Sequence, residues 1–351
     1  MPYGTLAIDS ITPSANALSV TGSVSSVNTF DFKNRFINGG LSIDQRNAGA
    51  SQTITAAAAL AYTVDRWYAY CTGANVTGQQ IAGTYLSSQY RYQFTGAASV
   101  TTIGFGQRIE QLNCYDLANT TATLSCYIAN SLLTTVTWTA YYANTANTFG
   151  SLASPTVTQI ATGTFTVTST RAQYSAQIAI PSAATTGIQI VFTVGAQTSG
   201  TWVIDTIQLE KGTQATSFDY RSIISEIQLC QRYFEKSFSI NTAVANGVGQ
   251  STTDGCMLTL FNSYDTSNGF FAQVTFQVSK RTSPTITYYR GGGGVTDGVW
   301  ATYDSSWTSL TSMATTTTNT SSFQTTGSRT GAFTTKTAYI GAGNWTASAE
   351  L

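Results

Sequence analysis

The sequence predicts an all-β protein: an antiparallel, jelly-roll-like β-sandwich and a second, C-terminal β domain, joined by one short α-helix. Three observations predict it. Apolar and polar residues alternate through many short runs, the pattern of strands with one face in a core and one in water. Gly, Asn and Ser clusters separate these runs, as turns do in sandwiches and barrels. Only one segment carries apolar residues at helical spacing. At 351 residues the chain is also long enough for two or three domains.

The elements follow in order. Residues 1–33 form an arm rich in Ser, Thr, Val and Asn, in which "GTLAID" and "ALSVTGSV" suit short strands. So short a piece cannot cover its own apolar face and is expected to pair with another chain. Residues 34–220 are the sandwich. "FINGGLSIDQRNAG", Phe36 to Gly49, predicts its first strand and turn, and "YTVDRWYAY" a strand with Trp67 inward and Asp65-Arg66 as a surface ion pair. Period-two runs then place Leu124, Cys126 and Ile128 on one face, and likewise Phe165 and Val167. Tyr174, Ala176, Ile178 and Ile180 share a face, as do Ile188, Ile190, Phe192 and Val194, and Val203, Asp205, Ile207 and Leu209.

Residues 221–237 are the connecting helix. Ile223, Ile227, Cys230 and Phe234 fall on one face, with Asp219 or Ser222 as the cap. Its apolar stripe is expected to meet the sandwich and other subunits. Residues 238–351 are the second β region, with strands at "FFAQVTFQV", "SPTITYY" and "YIGAGNWTASAEL". The Thr-rich tract "TSLTSMATTTTNTSSFQTTGS" predicts an edge strand.

Composition restricts function. Hydrophobic residues make up 42% and aromatics 12%, enough for a core, but charged residues only 9%, against about a quarter in ordinary globular domains. Hydroxyl and amide side chains must cover the surface, as in β proteins that work outside a cell or on a particle. Sixteen basic and sixteen acidic residues cancel, so no cationic footprint for nucleic acid exists. The absence of histidine excludes Ser-His-Asp and Cys-His catalysis and removes the commonest metal ligand. The five scattered cysteines, Cys71, Cys114, Cys126, Cys230 and Cys256, predict buried thiols rather than disulfides or a zinc site. The N-terminal residues lack a basic-then-apolar export signal, and no run is long and apolar enough to span a bilayer.

Two aromatic segments are candidate glycan or receptor contacts. "TWTAYYANTANTFG" sets Trp138, Tyr141 and Tyr142 beside an Asn- and Thr-rich loop, combining flat rings with amide and hydroxyl groups. "YYRGGGGVTDGVWATYDSSW" sets Tyr288, Tyr289, Arg290, Asp297, Trp300, Tyr303, Asp304 and Trp307 around a glycine run, a loop suited to recognition. Cross-strand packing is the competing reading for the first, and a hairpin with a loose crown for the second. Asp65-Arg66-Trp67 also suits a sugar platform, against its reading as a core tryptophan with an ion pair. Glycan cleavage needs two carboxylates about 5–10 Å apart. Asp205 and Glu210 fall on opposite faces by parity and read as structural, with Lys211 near them. No motif announces an enzyme, a cofactor or a metal, and no Asp-rich loop announces calcium.

Three stretches together carry a resemblance. "NRFINGGLSIDQRNAG" with "YTVDRWYAY", then "IDTIQLEKGTQATSFDYRSIISEIQLCQRYFEKS", then "WTASAEL" resemble, in this order, bacteriophage tail-fibre-like virion proteins. The opening "GTLAIDSI" is similar to the start of marine-phage fibre proteins. The resemblance implies a carbohydrate-binding-module-type sandwich in a homotrimeric fibre on the particle surface. Its arm would join other tail or capsid proteins, and the distal β region would meet a host surface glycan. A capsid-decorating or head-fibre protein is the alternative within that class, and a glycan depolymerase the alternative from another. Neither nucleic acid nor membrane insertion is expected.

Overall fold

The computed structural model describes residues 32–57, 59–85, 88–247, 257–262, 269–291, 297–303, 307–330 and 338–351. The N-terminal arm, Cys256, most of the glycine run and Asp304 lie outside the described residues.

Two six-stranded antiparallel sheets form the sandwich. The first runs β1 (Gln52–Ile54), β4 (Val76–Tyr85), β5 (Ser88–Thr95), β12 (Thr201–Lys211), β7 (Thr120–Asn130), β10 (Ala172–Ile180). The second runs β2 (Ala61–Tyr62), β3 (Tyr68–Thr72), β6 (Thr102–Ile109), β11 (Ile188–Val194), β8 (Thr135–Ala143), β9 (Val157–Thr166). Alternation placed the core faces of β7, β10 and β11 correctly: Leu124, Cys126, Ile128, Ile178, Ile190 and Phe192 are fully buried. Between the sheets Trp67 and Tyr92 each stack on Phe105, at 4.9 and 5.2 Å, and Phe94 stacks on Trp202 at 5.0 Å. Such ring pairs add about 0.5–1.5 kcal/mol each beyond area burial. Cys71, Cys114, Cys126 and Cys230 are free, buried thiols.

β12 departs from simple alternation. Its core residues are Trp202 and Ile204, then Ile207 and Leu209, because register shifts between Asp205, opposite Tyr127, and Gln208, opposite Ser125. The extra residue is a bulge, with Thr206 at φ +51°. Asp205 therefore faces outward and pairs with Arg171, while Lys211 pairs with Asp116.

Phe36 to Gly49 is not a strand; the first strand starts at Gln52. The Asn38-Gly39-Gly40 sequence turns the chain sharply, with Asn38 at φ +57°, a conformation Asn tolerates better than most residues. Asn38 then binds its surroundings on every side. Its side-chain amide donates to the carbonyls of Ile43 (2.8 Å) and Asp65 (3.0 Å), and its Oδ1 accepts the Ile43 N–H. Its carbonyl accepts the Trp67 indole N–H at 2.9 Å, and its N–H donates to Glu226. The turns drive Phe36 and Leu41 into the sandwich core and Ile37 and Ile43 against Cys230 and Tyr233. The segment is a plug between sandwich and helix.

The helix, α1 (Ile223–Gln231), is shorter than its apolar stripe. Phe234 already belongs to β13 (Phe234–Lys236), which pairs with the C-terminal strand. Ser222 precedes the helix without a side-chain cap, and Asp219 instead accepts the Asn34 N–H. Among described residues no helix is long and apolar enough to cross a membrane.

The third sheet is organised around β20 (Ala338–Ser348). β13 and β14 (Met257–Asn262) pair with it, as do β16 (Thr285–Tyr289) and β17 (Ala301–Tyr303). β17 continues to β18 (Trp307–Thr318), β19 (Ser322–Arg329) and β15 (Gly269–Thr275). The Thr-rich tract is thus two paired strands, and β18 lies inside the sheet rather than at its edge.

Past β20, Glu350 and Leu351 reach back to the sandwich, where Asp65 and Arg66 prove to be neither strand nor surface. They sit in the turn between β2 and β3, fully buried. Arg66 pairs with Glu350, donates to the Arg108 carbonyl (2.6 Å) and lies 3.6 Å over the Tyr233 ring. Asp65 accepts Arg46 at 3.1 Å and the Gln45 N–H at 2.9 Å. Lys236 donates to the carbonyls of Gln45, Ile240 and Thr242.

This joint makes folding depend on pH. Burial outweighs Arg46 and raises the Asp65 carboxyl to about 7; burial also lowers Lys236 to about 8, against the pull of Asp65 and Asp44. A carboxyl raised in the folded state favours folding below its unfolded pKa, and that contribution is lost as pH rises through its folded value. A lysine lowered in the folded state favours folding above its unfolded pKa, and that contribution is lost as pH falls through its folded value. Urea unfolding should therefore show stability declining from near the ordinary value of 3.8 up to about 7. Asp65→Asn should flatten that decline; an unchanged slope would contradict the assignment.

Candidate functional site

The outward face of the second sheet carries a groove of about 160 Å³. It arises from strand parity. Trp67, just before β3, and Ala69 and Cys71 on it face the core, so Tyr68 and Tyr70 face out. Their register partners on β6 are Gly106 and Gly104. Without side chains there, the tyrosines lie down across β6. A Cβ at Gly104 would come within 2.2 Å of the Tyr70 ring, and one at Gly106 within 2.6 Å of the Tyr68 hydroxyl. The rings are thereby held in place, Tyr68 buried as floor and Tyr70 half-exposed.

Further along the same face, Gln189 on β11 stands opposite both Arg108 on β6 and Tyr141 on β8. Arg108 is fully committed: Nε donates to Gln189 Oε1 (3.0 Å), Nη1 to the Leu351 main-chain oxygen (2.8 Å) and Nη2 to the Gly150 carbonyl (2.9 Å). It thus fixes Gln189 and the 144–156 loop together. That loop supplies the far wall, Phe149, Leu152 and Pro155. Burial raises the phenol pKa of Tyr68 and Tyr70, with Tyr141 as a further cause for both, so both hydroxyls stay protonated donors at neutral pH. No carboxylate lines the groove. It offers fixed aromatic surface, amide and hydroxyl groups, and no acid–base pair.

The sequence candidates divide accordingly. Tyr141 lies in the groove. Tyr142 packs against the core, and Trp138 is a core residue, 6% exposed, with its ring against Gly163 and Phe165. Strand parity sends these two inward, which removes Trp138 as a platform. In the C-terminal sheet Trp300 is also buried, its indole donating to the Asn344 carbonyl at 3.0 Å, with Tyr288 edge-on at 5.9 Å. Tyr289 packs on Phe238. Arg290 is buried and bonds Asp297 (3.3 Å) and Ser309 (2.7 Å). Only Tyr303 and Trp307 form an accessible pair, 5.1 Å apart with Trp307 42% exposed. The candidates of that region do not converge on one site. The phase of "WYAYC" against a core Trp67 marks Tyr68 and Tyr70 as outward, whereas no local pattern marks Gln189. Among described residues no group of three His, Cys, Asp or Glu is placed to hold a metal ion.

No family model and no curated protein matches the chain. Solved structures with partial likeness include the enzymatically active domain of bacteriophage CBA120 tailspike protein 4. It is 16% identical over 51% of this chain, which spans only 21% of that structure, with a TM-score of 0.31. A putative sugar binding protein from Bacteroides thetaiotaomicron is 12% identical over 51% of this chain and 100% of its own, at 0.33. TmCBM61 in complex with β-1,4-galactotriose is 13% identical over 42% and 88%, at 0.29. Likeness this low carries nothing about ligand or role.

Proposed function

We propose that this protein is a virion surface component that binds host glycans without cleaving them, the Tyr70–Tyr141 groove being the contact with sugar. The observation that carries the reading is two half-exposed tyrosine rings, one laid over glycine, beside a fixed glutamine in a groove without a carboxylate. Aromatic faces cover the apolar side of a sugar ring, amide and hydroxyl groups meet its hydroxyls, and hydrolysis lacks its paired acids. The resemblance of "IQLEKGTQATSFDYRSIISEIQLCQRYFEKS" to phage fibre proteins supports the particle setting. Exposed Ile223 and Ile224 on α1 suit contact with further copies in a homotrimer. Linked copies gain roughly 10²–10⁴ in avidity over a single weak site.

The test is a glycan array followed by incubation with the bound polysaccharide. Retention of polysaccharide with no new reducing ends is expected, and Tyr141→Ala should weaken it. Release of reducing ends would overturn the non-enzymatic reading.

A further inference from the structure

The opposite face of the sandwich holds a second cavity, of about 390 Å³. We infer that it is an independent site for a single neutral sugar ring, so that each chain is bivalent; this rests on the glycan-binding reading above.

The cavity is built by a wall folded over the first sheet. The β12 bulge leaves Gln208 and Glu210 on the outward side, yet both are buried. They are the anchors of residues 213–219, which return across that face. Glu210 accepts the Thr216 N–H at 2.9 Å and its hydroxyl at 2.5 Å, and Gln208 Oε1 accepts the Asp219 N–H at 2.8 Å. Gln177 on β10 holds the Thr213 carbonyl at 2.7 Å. Between wall and sheet lies a space lined by Ser125, Tyr127, Gln173, Ser217, Phe218 and Tyr220, with no charged side chain.

Its aromatic floor is fixed. Tyr127 stands between Asp205 and Gln173 in one cross-sheet row. The Arg171 guanidinium lies 3.7 Å over its ring and 4.5 Å from the Tyr85 ring, and is held by Asp205 at 2.9 and 2.5 Å. A cation clamped by a buried carboxylate keeps the phenol from rotating. Tyr220, 64% exposed and edge-on to Phe218 at 4.9 Å, forms the rim.

The dimensions assign the ligand class. At about 390 Å³ the space lies near the lower end of the range of about 300–1,000 Å³ for small-molecule sites, enough for one sugar ring. Uncharged hydroxyl and amide groups beside aromatic carbon select a neutral pyranose over a uronate or a phosphate.

Saturation-transfer NMR and calorimetry with methyl glucoside, methyl galactoside and methyl mannoside test the inference. At least one glycoside should bind, Tyr220→Ala should weaken it tenfold or more, and Tyr141→Ala should leave it unchanged. Gln173→Ala, on an exposed strand position, is the second variant and should weaken it as well. Loss of glycoside binding in Tyr141→Ala alone, or no glycoside binding while polysaccharide still binds, overturns the second site and leaves the proposed function standing. Loss of both polysaccharide and glycoside binding by the folded wild-type protein would overturn both.

Discussion

Arg66→Ala is expected to remove about 3–5 kcal/mol of folding stability, read as a fall in the urea unfolding midpoint. Arg66 is 1% exposed and its partner Glu350 is 5% exposed at the side chain. Without the guanidinium, Glu350 keeps Arg46, at 3.1 Å, and the Arg108 carbonyl loses this donor. The Tyr233 ring loses the cation packed 3.6 Å from its centre, and with it a contact between the sandwich and the helix region. The cost is chiefly that of an uncompensated buried charge, so the double variant Arg66→Ala/Glu350→Ala should recover part of it. A loss below about 1 kcal/mol, the value of a surface pair, would show that the C-terminal residues are not a structural tie.

Asn38→Ala is expected to be nearly as damaging, about 3–4 kcal/mol in the same measurement. It leaves the Ile43 N–H and two carbonyls, of Ile43 and Asp65, without their buried partner, at about 1–3 kcal/mol for each group not resatisfied. It also places alanine at φ +57°, where asparagine is better tolerated. Asn38→Asp keeps the acceptor for the Ile43 N–H and the tolerance of the turn but sets a buried carboxylate oxygen against the two carbonyls, so a loss at least as large as that of alanine is expected for it. Alanine within experimental error of wild type would refute the plug as an organising element.

Much of the architecture follows from alternation alone. β7, β10 and β11 each have one mainly apolar face and neighbours with the same period, so their inward residues are fixed by parity. Parity fails where a single residue breaks it. The Thr206 bulge moves Asp205 outward and Ile207 inward within one strand, and period-two counting has no mark for it. The plug escapes period-two counting for a related reason. Phe36, Ile37, Leu41 and Ile43 are as apolar as a strand, but Asn38-Gly39-Gly40 makes the segment bond through a side chain rather than a ladder. Nothing local marks Asp65-Arg66 as buried, because the partners of Arg66, Glu350 and Tyr233, are remote in sequence. The binding face was half visible for the same reason. Tyr141 was a candidate from its Asn-rich loop. The flatness of Tyr70 depends on Gly104, a neighbour on another strand that only register brings beneath it.

The central claim is that the tyrosine groove binds sugar through a fixed aromatic surface. Affinity of wild type, Tyr141→Phe and Tyr141→Ala for the array-selected glycan, measured by calorimetry on protein of unchanged fold, tests it most directly. The phenylalanine variant should stay within about threefold of wild type. The alanine variant should bind about tenfold or more weakly, since 1.4 kcal/mol of lost ring contact is a factor of ten. Equal affinity for all three proteins would contradict the account.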